Sequence, residues 1–309
     1  MLLADSLHLA LRAITAQRLR SFLTLLGIAV GIAAVILLTS IGEGIHRFVL
    51  AEFSQFGTNV IGIHPGKTKT GGSPSGLPTS ARPLSLDDAR ALASLPNVVA
   101  MTPSIWGNAE VGANGRLRRT SVYGVGPQML EVFKGKVRAG QFLPPEDADH
   151  ARALVVLGPK LKEELYGPEN ALGTRLRIGP DQFRVVGVLE AKGQFLGIDL
   201  DDTAFVPAAR ALEIFNREGL NEINLAAEEG VPSRLVADAV RERLIARHGR
   251  EDFTIITQEE MLATLSNILN VLTMAVGALG GISLLVGGVG IGTIMTIAVS
   301  ERTGEIGLL

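Results

Sequence analysis

The strongest pattern along this chain is where charge is missing. Residues 21–42 (SFLTLLGIAVGIAAVILLTSIG) and 261–300 contain no Asp, Glu, Lys or Arg, and both exceed the roughly 20 residues that an α-helix needs to cross a bilayer. Buried core helices give apolar runs of about 10–14 residues, and a cleaved signal peptide has an apolar region of about 7–15 residues closed by small side chains. The first run is longer and passes into Thr39-Ser40-Ile41-Gly42-Glu43, so it reads as a retained anchor. Beyond it, Ile45, Phe48, Val49 and Phe53 keep spacings of three and four, which continues the helix until Gly57. Before it, Leu7, Ala10, Leu11 and Ile14 share a face, so residues 1–20 are expected to form an amphipathic helix on the inner membrane surface.

Between the two runs the period changes. Residues 59–64 read as a strand, and 65–83, rich in Gly, Ser, Thr, Pro and Lys, as a loop. Ser85-Leu86-Asp87-Asp88 has the spacing of a capping box, so a helix is expected from there to about residue 95, ended by Pro96-Asn97. Strands follow at 98–106, 117–125, 153–157, 174–178, 183–189 and 205–206, then at 223–226, a helix over 233–247, and a strand at 253–256. This order predicts a β-α-β unit at each end of the domain with a β-rich insert between them. Thr257-Gln258-Glu259-Glu260 is a second capping box. Nothing breaks the helical pattern from 258 to about 299, on the order of 60 Å of helix, about twice the hydrocarbon thickness of a bilayer.

Charge then orients the chain. Arg12, Arg18 and Arg20 precede the first span and only Arg47 follows it closely, so the positive-inside rule puts the N-terminus in the cytoplasm and residues 43–257 outside it. The 309 residues are 47% hydrophobic and 19% charged, with no cysteine and a net charge of −2. There is thus no disulfide framework or thiolate metal site, and no basic surface of the kind that nucleic-acid binding needs.

Candidate chemistry is sparse. Gly66-Lys67-Thr68 resembles the end of a phosphate loop, but the pattern requires glycine at position 61, which is Ile61. The histidines at 8, 46, 64, 150 and 248 have no partner at metal-ligand spacing, and no nucleophile elbow occurs. No cofactor, metal or catalytic residue is expected. Gly27 and Gly31, Gly277 and Gly281, and Gly288 and Gly292 each lie four apart. That spacing lets membrane helices approach closely, although glycine is also simply commoner in membrane helices.

On the blocks FGTNVIGIHPG, ALVVLG, FRVVGVLEAKG, DDTAFVP, ISLLVGGVGIGTIM and SERTGEIG, the chain resembles the MacB-like permease family of ABC transporters, with its LolC/LolE and FtsX branches. The resemblance covers essentially the whole chain. It implies a membrane protein of α+β class, in which two transmembrane helices with long stalk extensions flank an extracytoplasmic domain. That domain would combine a porter-like part (58–130 and 218–257) with a β-rich insert of the type called Sabre (131–217). It also implies a bacterial inner-membrane location and mechanotransmission: motion of a separate cytoplasmic ABC ATPase carried to the outer domain for efflux or lipoprotein handling, with no catalysis by the permease.

The loop contacting that ATPase would comprise Glu301, Arg302, Thr303, Gly304, Glu305 and Ile306. Further expected partners are membrane lipid, a second permease copy, a periplasmic adaptor and an outer-membrane duct. Two departures stand out. Gly292-Thr293 replaces the family's usual Met-Asn, and the family continues into two further spans beyond Leu309. The topology alone would equally suit a two-span sensory receptor with an outer ligand-binding domain, but SERTGEIG looks like a docking loop rather than a signalling linker.

Overall fold

The computed structural model describes residues 18–56, 59–66, 82–145, 151–195 and 198–301. The expected helix over 1–20 and the loop at 65–83 therefore lie mainly outside the described residues, as do Lys67, Thr68 and residues 302–306. The chain forms two compact units, one of residues 1–49 with 263–309 and the other of residues 50–262.

The first unit is helical. Helix α1 (Arg18–Phe56) and the final helix, Gln258–Glu301, are both long and apolar enough to cross a membrane. Their contacts run antiparallel: a Cβ added at Gly42 would lie 3.8 Å from Leu269, and one at Gly280 would lie 3.0 Å from Val35 Cγ2 and 3.8 Å from the Gly31 carbonyl.

The second unit is a mixed α/β domain on a ten-stranded sheet. In chain order its elements are β1 (Val60–Pro65), α2 (Leu86–Ala93), β2 (Val98–Ala113), β3 (Arg116–Val125), α3 (Met129–Val132) and β4 (Val137–Gly140). There follow β5 (Leu154–Leu157), α4 (Pro159–Tyr166), β6 (Arg175–Ile178), β7 (Asp181–Leu189), β8 (Gln194–Phe195) and β9 (Ile198–Asp199). The domain closes with β10 (Thr203–Pro207), α5 (Ala208–Ile214), β11 (Glu222–Ala227), α6 (Ser233–His248) and β12 (Phe253–Thr257), which leads into α7 (Gln258–Glu301).

The sheet order is β12-β1-β11-β2-β3-β10-β5-β7-β4, with β6 bridging β2 and β7. The two β-α-β units expected at the ends of the domain therefore do not stand apart. Strand β11 lies antiparallel between β1 and β2, and β1 lies antiparallel between β11 and β12, which makes a split, interleaved β-α-β pair. Helices α2 and α6 cover one face of this part, where Ile61, Ile63, Leu92, Ile223, Leu225 and Val240 form a dry cluster. A second cluster joins the far half of β2, β3, β5, β7 and β10 to α4 and α5.

Strand β2 is longer than its expected 98–106 because it forms a hairpin with β3 over Asn114 and Gly115. Both of these have positive φ (51° and 73°), as a two-residue hairpin turn demands. Both expected capping boxes form: Ser85 Oγ accepts from the Asp88 amide and Asp88 accepts from the Ser85 amide, and Thr257 and Glu260 do the same at the start of α7.

The blocks ALVVLG, EAKG and DDTAFVP meet in one place. The Asp201 carboxylate accepts from the amides of Lys192 (2.8 Å) and Gly193 (3.1 Å), while its carbonyl accepts from Lys160 and Leu161 at the start of α4. Asp202 receives a bidentate pair from Arg118 (2.9 and 2.6 Å), and its carbonyl accepts from Thr120 Oγ1. Gly158 lets the 200–201 backbone come this close. A Cβ there would sit 2.3 Å from the Asp201 oxygen.

Candidate functional site

The face of the sheet opposite α2 and α6 is open. Side chains alternate along a strand, so in β1 the core takes Ile61 and Ile63 while Val60, Gly62 and His64 point the other way, and in β11 the core takes Ile223 and Leu225 while Glu222 and Asn224 point away. These outward positions floor a cleft of about 300 Å³. Strands β2, β3 and β10 add Trp106, Tyr123 and Phe205, and α3 adds Met129 on the wall.

Three aromatic rings cross the cleft in register. Trp106 pairs with Tyr123 across β2 and β3, and Tyr123 with Phe205 across β3 and β10. Ring centroids are 6.1 Å apart in each pair, with planes tilted by 30° and 33°, inside the range where aromatic pairs attract beyond their buried area.

Beside this row lies a carboxylate in an apolar setting. Glu222 is 21% exposed, and Gly62 makes room for it, since a Cβ at position 62 would come within 2.6 Å of Glu222 Oε1. His64 Nε2 stands 3.5 Å away. Burial pushes the Glu222 carboxyl up to about 7, against a hydrogen bond with Asn224 that lowers it, while Asn224 also donates to Ser104 Oγ at 3.2 Å. Burial also lowers the pKa of His64, and it raises that of Tyr123 with help from the Glu222 charge.

A stability prediction follows from the sign of this shift. The native domain keeps a proton on Glu222 that the unfolded chain releases near pH 4.5, so the group's contribution is complete below about pH 4.5 and is lost as pH rises through about 7. Glu222→Gln, which stays neutral, should match the parent at about pH 5 and be more stable by roughly 1–2 kcal/mol at about pH 8. Urea unfolding followed by emission of Trp106, the chain's single tryptophan, checks this. A variant less stable than the parent at pH 8 would contradict it.

Of the residues singled out from sequence, Glu301 ends α7, and Arg302, Thr303, Gly304, Glu305 and Ile306 lie outside the described residues. Gly27 and Gly31 are in α1, where Gly31 is buried. Gly277, Gly281, Gly288 and Gly292 lie along α7 with no atom within 4 Å of an added Cβ; the close approach to α1 is at Gly280 instead. Among the described residues no group of acidic or histidine side chains could hold a metal ion. The cleft itself is absent from the sequence reading. Its available signals were the lone tryptophan and a single carboxylate opening the apolar strand EINLAA.

Comparison with known proteins places this fold. A family model described as the MacB-like periplasmic core domain matches residues 21–243. The macrolide export ATP-binding/permease protein MacB of Hyphomonas neptunium is 35% identical over 308 residues, 99% of this chain and 47% of that protein. The pyoverdine export ATP-binding/permease protein PvdT of Pseudomonas entomophila is 34% identical over 311 residues, 98% of this chain and 46% of that protein. The chain thus spans about half the length of these relatives. Among solved structures, the periplasmic region of MacB from Actinobacillus actinomycetemcomitans superposes with a TM-score of 0.59 at 23% identity, covering 71% of this chain and 98% of that one. The extracellular domain of the transporter YknZ from Gram-positive bacteria gives 0.53 at 16% identity, covering 64% and 100%. With a mixed-sheet domain between two membrane-length helices and a family match over most of its length, the chain belongs to the MacB-like periplasmic core domain family.

Proposed function

We propose that this chain is the permease part of an ABC-type exporter in a bacterial inner membrane, with its N-terminus cytoplasmic and its sheet domain outside, and that it carries motion rather than catalysing a reaction. ATP hydrolysis belongs to a cytoplasmic ATPase partner, docked on the segment Glu301, Arg302, Thr303, Gly304, Glu305 and Ile306. A second permease copy, a periplasmic adaptor and an outer-membrane duct complete the assembly. Within one copy α1 and α7 approach at Gly31 and Gly280; Gly27, Gly277, Gly281, Gly288 and Gly292 would serve the packing of helices from the second copy. The export named for the relatives agrees with this reading.

One observation carries the proposal. Helix α7 is unbroken over 44 residues, about 66 Å at 1.5 Å per residue, and its first turn is clamped to the end of β12 by the Thr257–Glu260 capping box. An interrupted element would absorb displacement by bending, whereas a continuous hydrogen-bonded helix passes it on.

The test is a proline at Leu272, a residue whose side chain is 48% exposed and so contributes little packing. Proline removes a hydrogen bond and clashes with the preceding turn, at a cost of about 3 kcal/mol, and kinks the helix. In the full-length transporter, Leu272→Pro should abolish ATP-coupled transport while the ATPase still co-purifies, and Leu272→Ala should leave both intact. Coupled transport surviving the proline would end the mechanism.

A further inference from the structure

We propose that the cleft over β1, β11, β2, β3 and β10 is a binding site for compact cationic amphiphiles, molecules with an apolar body and a protonated amine. At about 300 Å³ the cleft falls at the small end of ligand-sized pockets. Its wall carries Trp106 and Tyr123, backed in register by the buried Phe205, and aromatic rings attract both apolar surface and positive charge. At one end of that row sits the largely buried Glu222 carboxylate. Among the described residues, the basic group within ion-pair distance of it is His64, at 3.5 Å, and burial lowers the pKa of that imidazole, which favours its neutral form. A carboxylate desolvated against an apolar wall without a cation is costly, and a ligand ammonium would relieve that cost.

The other charges lining the cleft do not favour an anionic ligand. Lys192 donates to the Phe133 carbonyl, and the Asp201 carboxylate is held by the Lys192 and Gly193 amides. Lys136 and Glu190, both in the lining and joined by a backbone hydrogen bond, are opposite in sign. Glu222 is therefore the group that selects.

The probes are 1-adamantylmethylammonium and its neutral isostere 1-adamantylmethanol, titrated against the full chain in lipid nanodiscs. Emission of Trp106, a third exposed and part of the wall, reports occupancy without the ATPase or any transport step. Failure here and failure of the transport reading are thus separable. At about pH 8 the ammonium should bind at least about tenfold more tightly than the alcohol. In Glu222→Gln that preference should fall to within about twofold while the alcohol binds as before.

The unsubstituted protein supplies the second arm. At about pH 5 Glu222 carries its proton and no longer attracts an ammonium, so the preference should collapse, while burial of His64, the imidazole facing it, favours that ring's neutral form. Tyr123 stays neutral across this range because its pKa is raised, and the Glu222→Gln variant at pH 8 separates the carboxylate from His64. Equal affinity of the two probes at pH 8, tighter binding of 1-adamantanecarboxylate, or no change in Trp106 emission would each overturn the proposal.

Discussion

Asp88→Asn is expected to lower the stability of the sheet domain by about 3 kcal/mol, because it removes one member of a buried charge cluster and leaves the others behind. Asp88 is fully buried at the start of α2. Its carboxylate accepts from Arg247 Nε at 2.7 Å and from the Ser85 amide and hydroxyl at 3.0 and 2.8 Å. His248 Nε2 lies 3.2 Å from the same carboxylate without hydrogen-bond alignment, and Nδ1 is 2.7 Å from Asp252. The cluster therefore ties the end of α6 to the start of α2.

Burial pushes the Asp88 carboxyl up, but the hydrogen bonds from Arg247 and Ser85, with the His248 ring close by, outweigh burial and hold it at about 2. Since the folded pKa lies below the unfolded value, the stabilisation is complete above about pH 4 and is lost as pH falls through about 2. The gap between parent and variant, read from urea midpoints, should be widest near neutrality and should narrow in acid. A gap independent of pH would mean that the cluster contributes through packing alone.

Gly158→Ala should cost at least as much, about 3 kcal/mol or more, although it adds a single methyl group. The new Cβ would stand 2.3 Å from the Asp201 oxygen, 2.7 Å from its carbonyl carbon and 2.9 Å from the Leu200 oxygen. All are backbone atoms, so no side-chain rotation relieves the overlap. Moving that backbone breaks several bonds together: the Asp201 carbonyl serves two orphan amides of α4, Asp202 pairs with Arg118, and Lys160 pairs with Asp199 at 2.7 Å. Thermal unfolding of the full chain should show the loss, and Arg118→Lys in the Gly158→Ala background should add little, because the pair it weakens is already displaced. Full additivity of the two changes would show that the 199–202 backbone stays in place.

The strands at 59–64, 117–125, 183–189 and 253–256 are legible in sequence because each is a short run rich in branched and aromatic side chains bounded by turn residues. Both capping boxes are legible because the hydroxyl and the carboxylate stand three residues apart. The far half of β2 is not legible, since Gly107, Asn108 and Gly112 lack the branched side chains that mark strands; its pairing with β3 fixes it, and the Asn114-Gly115 turn was its one local signal. Helix α4 also escapes the sequence reading despite Pro159 at its first position and Gly167 just past its end, being only eight residues long. The cleft is illegible for a deeper reason. Its residues come from strands whose neighbours in the sheet, such as β1 and β11, are more than 150 positions apart in the chain, and no local pattern encodes that pairing.

Strand β2 is continuous for 16 residues, about 53 Å at 3.3 Å per residue. It is bonded along one flank to β11 near its start and to β6 near its end, and along the other to β3 from Ser104 onward. A pull along such a strand loads its flanking bonds in shear, all at once, whereas a pull across it would open them one by one like a zipper. The domain should therefore be tough along that axis and yield elsewhere first. Single-molecule stretching between cysteines introduced at Val98 and Ala113 would read that direction-dependent strength directly.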